Sequence, residues 1–122
     1  MTIHFPKQVL IKISDPWDLG VQLKWEALPA NIVSECGKAI VLQLSSPFEY
    51  KGMHCEYLVA SVRHDGTNVG ELRDGKTVFC AMTRITEKQA NSENPTDLSQ
   101  WRGGVAIIGD IEPILNRIGD AS

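Results

Sequence analysis

From Gln8 to Ile114 the apolar residues of this chain recur largely at every second position, in short runs that end at turn-forming residues. A period of two places alternate side chains on opposite faces of an extended backbone, so each run predicts a half-buried strand. Gln8–Ser14 carries Val9, Ile11 and Ile13 on one face and Leu10 and Lys12 on the other. Further runs span Asn31–Ser34, Lys38–Ser45, Pro47–Tyr50, His54–Arg63, Lys76–Thr86 and Val105–Ile114. Glu35-Cys36-Gly37-Lys38 and Lys51-Gly52 read as hairpin turns, because glycine adopts the positive φ that tight turns demand. The pattern predicts an all-β or β-rich α+β domain, a small antiparallel barrel or sandwich of about six strands with one to three short helical turns. Its expected core is Val9, Ile11, Ile13, Ile40, Leu42, Leu58, Phe79, Ala81, Ile107 and Ile111.

Helical signals are few. Asp15-Pro16-Trp17-Asp18-Leu19 and Asn94-Pro95-Thr96-Asp97-Leu98 share one arrangement: a capping Asp or Asn, proline at the first helical position, and an acid near the start. Each predicts a short capped turn beside a tryptophan, Trp17 or Trp101. Val69 and Leu72, three apart, suggest one more turn within Asn68–Arg73, and Thr86–Gln100 reads as the long loop.

At 122 residues and 13.5 kDa the chain has room for one domain, spanning residues 1–122. Twelve Lys and Arg against fifteen Asp and Glu leave a net charge of −3, and the basic residues are scattered. Nucleic acid is therefore not the expected partner, because such binding needs clustered cations to meet phosphates. Met1–Ser14 lacks an apolar stretch of signal-peptide length, and no apolar run is long enough to span a bilayer. The three cysteines, Cys36, Cys55 and Cys80, are odd in number and form no Cys-x-x-Cys pair, which argues for reduced thiols. The expectation is a cytoplasmic protein with no membrane partner.

Candidate chemistry is sparse. On a strand His54 and Glu56 face one way and Cys55 the other, so the three do not ligate one ion, and neither a metal nor any other cofactor is expected. Cys80 lies in the apolar run Val78–Met82, where burial raises a thiol's pKa, which disfavours a nucleophile. Arg63, His64 and Asp65 form a polar cluster that fits an acid–base pair, although a strand end entering an Asp-Gly turn explains the same residues. Asp110 and Glu112 share a strand face, as paired carboxylates for glycoside chemistry or a divalent cation would, but they also suit a strand leaving the core before Pro113. No phosphate-binding glycine loop and no Gly-x-Ser-x-Gly are present.

The three tryptophans are expected mostly as core plugs, with Trp101 the most exposed. Taken together, the missing catalytic signature and the acidic balance point to a non-enzymatic interaction protein. Such a protein neutralises a basic partner, for example a bacterial nuclease toxin, in the manner of an immunity protein. Glu87, Glu93, Asp97 and Trp101 in the long loop are the candidate partner-binding residues, with carboxylates for steering and an aromatic anchor. The alternatives are a small hydrolase or phosphodiesterase using His64 and Asp65, and an OB-like oligonucleotide-binding barrel.

Overall fold

The computed structural model describes residues 7–36, 39–62, 69–93 and 106–114. Six strands follow one another around a closed antiparallel barrel: β1 (Gln8–Asp15), β2 (Leu28–Cys36), β3 (Ala39–Tyr50), β4 (Met53–Val62), β5 (Val78–Ile85) and β6 (Ala106–Ile114). Each strand pairs with its neighbour in sequence, and β6 closes back on β1 through pairs from Gln8↔Ile114 to Asp15↔Ile108. The β1–β2 connection holds a short helix, α1 (Trp17–Gln22), and the β5–β6 connection begins with another, α2 (Glu87–Ala90). Because direction alternates, these two helices and the β3–β4 turn leave one rim, while a 3-10 turn, Val69–Asp74, sits at the other. Among the described residues no helix is long and apolar enough to cross a membrane.

The interior is what the alternation requires. Val9, Ile11 and Ile13 of β1, Ile40 and Leu42 of β3, Leu58 of β4, and Ile107 and Ile111 of β6 all point inward and are buried. No polar or charged side chain is buried among the described residues, so apolar packing fills the centre. Leu19 of α1 and Leu72 of the 3-10 turn, both fully buried, join this core from the two rims. Gly109 faces inward where β6 crosses β1, and a Cβ there would run into the Lys12 carbonyl and the Ile13 backbone. The close approach of the closing strands therefore needs glycine at this position.

Several sequence expectations need correcting. Phe79 and Ala81 face outward and are only half-buried, while Val78, Cys80 and Met82 form the inner face of β5. Every residue of Val78–Met82 is apolar, so alternation left the facing open, and pairing decides it: Met82 sits opposite Ala60 and Cys80 opposite Gly109. The separate runs expected over Lys38–Ser45 and Pro47–Tyr50 give way to one continuous strand, β3 (Ala39–Tyr50), with a register shift between Gln43 and Phe48 that sets Leu44–Pro47 opposite Glu56 alone. Asp15 ends β1 instead of capping a helix: Pro16 occupies the N-cap of α1, and no side-chain cap bond forms. Thr86–Gln100 opens with α2 rather than loop, closed by a reciprocal capping box in which Thr86 Oγ1 accepts from the Gln89 N–H and Gln89 Oε1 from the Thr86 N–H.

The β3–β4 turn follows the sequence. Lys51 and Gly52 have φ of 51° and 79°, the two positive values that a two-residue hairpin of the favoured twist requires. β2 and β3 pair as far as Cys36↔Ala39, so Glu35 and Cys36, expected in a turn, belong to the strand, and a six-residue 3-10 helix, Val69–Asp74, stands in place of the single turn expected within Asn68–Arg73. The turn expected at Asn94–Leu98 lies outside the described residues.

Candidate functional site

The barrel centre is filled, so candidate binding features lie on its surface, and among the described residues two stand at the rim that carries α1 and α2. These are an exposed aromatic face on α1 and a concavity where β4, β5 and α2 meet.

The aromatic face follows from how α1 is built. Leu19 and Leu23 turn toward the core, so Trp17 and Val21, one helical turn apart, take the opposite side. The core-plug expectation for Trp17 and Trp25 is thus overturned: Trp17 is 71% exposed, Val21 56% and Trp25 46%. The two indoles meet edge to face with centroids 4.6 Å apart. After α1 the Lys24 N–H donates to Val21 O at 3.0 Å and the Trp25 N–H to Gly20 O at 2.9 Å, the paired bonds of a Schellman ending. Its left-handed position is occupied by Lys24, φ 59°, and Trp25 follows at φ 56°. A left-handed conformation at a residue with a Cβ costs about 1–2 kcal/mol. The Trp25 ring lies against Gly20, where any Cβ would collide with it, which explains a glycine inside so short a helix.

Long-range bonds hold this helix to the barrel. The Tyr50 hydroxyl donates to both carboxylate oxygens of Asp18, at 2.6 and 2.7 Å, and Gln22 Nε2 donates to Glu49 O at 2.6 Å. The tyrosine hydroxyl holds the Asp18 carboxyl below its ordinary pKa, and the same bond pushes the Tyr50 phenol up. Lys51 Nζ stands 5.2 Å from the centre of the Tyr50 ring.

The concavity, about 230 Å3, is lined by His54, Glu56, Tyr57, Arg84, Ile85, Thr86 and Glu87. It adjoins the α1 side of the rim through Glu49, the cross-strand partner of His54. His54 and Glu56 face the same way, as their spacing on the strand predicts, with His54 Nε2 3.3 Å from Glu56 Oε1. Gln43 Nε2 donates to the other Glu56 oxygen at 2.9 Å, and these two contacts, the glutamine first, hold the Glu56 carboxyl below its usual range. Arg84 donates from Nε to the His54 carbonyl at 2.9 Å, tying β5 to β4. Burial pushes the Tyr57 phenol up, and the Glu87 and Glu56 carboxylates add to the shift. Below the rim, Tyr57 packs with Val41, Val59, Ile85 and Ala90 in a second apolar cluster on the outer wall, which seats α2.

Of the residues that sequence reasoning selected, Glu87 lies in this concavity and Glu93 is exposed just past α2. Asp97, Trp101, Arg63, His64 and Asp65 lie outside the described residues. Asp110 and Glu112 share the outer face of β6, as expected, where Glu112 pairs with Lys12 at 3.1 Å and Asp110 sits in register with Lys12 and Phe79. Pro113 lies next to the end of β6, and because the barrel is closed that strand is not an edge. Sequence reasoning missed the grouping of Tyr57, Arg84 and Glu87 with the His54–Glu56 pair, and also the display of Trp17 and Trp25. The signal for the first was present, since His54, Glu56 and Glu87 were each singled out on their own, but only the β4–β5 pairing brings them together.

Cys55 and Cys80 are buried free thiols, both pushed up by burial, Cys80 to about 12. That favours the unreactive thiol form. Among the described residues no three His, Cys, Asp or Glu side chains group as metal ligands. No known family, characterised protein or solved structure matches the chain.

Proposed function

We propose that the protein is a non-enzymatic binding domain that docks a basic protein partner on the Trp17–Trp25 face of α1. The observation that carries this reading is the exposed, edge-to-face tryptophan pair, held at the surface by a helix ending that places two side-chain-bearing residues at positive φ. Tryptophan is the residue most often found as an interface anchor, and backbone strain gathers where function requires it. Charge selects the partner class: residues 15–26 hold Asp15, Asp18 and Glu26 against Lys24, within a chain of net charge −3. A basic protein, of which a nuclease toxin is one example, complements such a face and is steered toward it.

Capture on the immobilised chain from its native cell, followed by mass spectrometry, should return a basic protein. The Trp17→Ala/Trp25→Ala variant should lose that protein, while Glu35→Gln, at the far rim, should retain it. Retention by the tryptophan variant, with its thermal unfolding unchanged, overturns the reading.

A further inference from the structure

We propose that the concavity between β4, β5 and α2 is a receptor for one guanidinium group, an arginine side chain, with the Glu56 and Glu87 carboxylates as acceptors. The reading rests on the docking function above only for the source of that arginine, a basic partner seated across the same rim.

The cavity itself comes first. At about 230 Å3 it has room for several water molecules, and hence for the head of one long side chain. Its lining is matched to a single positive charge: Glu56 and Glu87 against Arg84 leave one net negative charge when histidine is counted as neutral. An anion would face two carboxylates here, whereas a monocation leaves the site neutral.

Arg84 does not use up those carboxylates. Its Nε is committed to the His54 carbonyl, and among the described residues no ion pair joins it to Glu56 or Glu87. Glu87 makes no ion pair among those residues at all. Gln43 and His54 each take one oxygen of Glu56, which fixes the orientation of that carboxylate and favours its ionised form. Tyr57 lines the same space as both carboxylates. An ionised carboxylate beside an aromatic ring suits a guanidinium better than an ammonium, because the planar fork donates paired hydrogen bonds to a carboxylate and lies against a ring. A hard divalent ion is the poorer occupant, since no metal-ligand group forms among the described residues.

The test uses Nα-acetyl-L-arginine amide with the full chain, followed by amide-resolved NMR. Saturable shifts should appear at His54, Tyr57 and Arg84, be matched by none with Nα-acetyl-L-norleucine amide, and weaken as salt rises. Glu87→Gln keeps the Thr86–Gln89 capping box and should raise the dissociation constant about tenfold, the loss of one charge-assisted hydrogen bond. Glu56→Gln should weaken binding in the same direction. The Trp17→Ala/Trp25→Ala variant should bind the arginine probe as the parent does, so failure of the docking reading and failure of this one give different results. Absence of saturable shifts at these residues, equal shifts with norleucine amide, or unchanged affinity in both glutamine variants overturns the proposal.

Discussion

The two helices on the rim that carries the β3–β4 turn are both shorter than two turns, yet they stand for opposite reasons. α2 is secured locally, by a reciprocal capping box whose partners lie three residues apart, and it buries Ala90 on the outer wall. α1 has no side-chain cap; Tyr50 and the Glu49 carbonyl hold it from far along the chain, and Leu19 drives it into the barrel. A short helix is marginal on its own in water. One of these helices draws its stability from its own sequence and the other from the finished barrel. The second arrangement leaves the outer side of α1 free of structural duty, and that is the side that carries the tryptophans.

Mutations separate the two modes. Leu19→Ala should have the largest effect, about 2–5 kcal/mol in urea melts, since it empties a fully buried site at the mouth of the core. A loss below 1 kcal/mol would mean that α1 only rests on the barrel (on the same scale).

Next in size should be the Tyr50–Asp18 link, read through pH. Asp18 titrates below its ordinary range in the folded chain, so its contribution is present above the usual carboxylate pKa and is lost as pH falls through the lowered one. Tyr50 is raised, so its contribution is full below the ordinary phenol pKa and disappears as pH rises through the raised value. Thermal melts should therefore show Tyr50→Phe less stable than the parent across neutral pH, with the gap closing in acid. A gap that persists unchanged in strong acid would assign it to packing and not to the bond.

Thr86→Ala should cost about 1 kcal/mol, the ordinary value of an N-cap, with the loss confined to α2 in amide exchange. The smallest effect belongs to Asp15→Ala, within about 0.5 kcal/mol, because Asp15 caps nothing. A cost near that of Thr86→Ala would restore the capping role which the Asp-Pro pattern suggests.

The same contrast explains what could be read in advance. The Lys51-Gly52 turn and the inward faces of β1, β3 and β6 were legible because local chemistry and a clean alternation determine them. The facing of β5 was not, since a run of five apolar residues looks alike from both sides until its neighbours set the register. The exposure of Trp17 and Trp25 was hidden for a related reason: hydrophobicity names a side chain's preference, while Leu19 and Leu23 had already taken the inward side of α1. The concavity was legible only in parts, because His54, Glu56, Arg84 and Glu87 lie on three elements that the ladder brings together.

The seam between β1 and β6 bears on how this chain fails as well as how it folds. Fibrils and swapped dimers grow by adding strands to a free sheet edge, and among the described residues the closed ring of six strands has no edge strand. Propagation must therefore begin by parting two strands, and the β1–β6 seam joins the segments farthest apart in sequence, so its closure is the contact with the greatest entropic cost to make. Any variant that loosens the Gly109 crossing should form aggregates before it loses its core, because it uncovers two ladders at once.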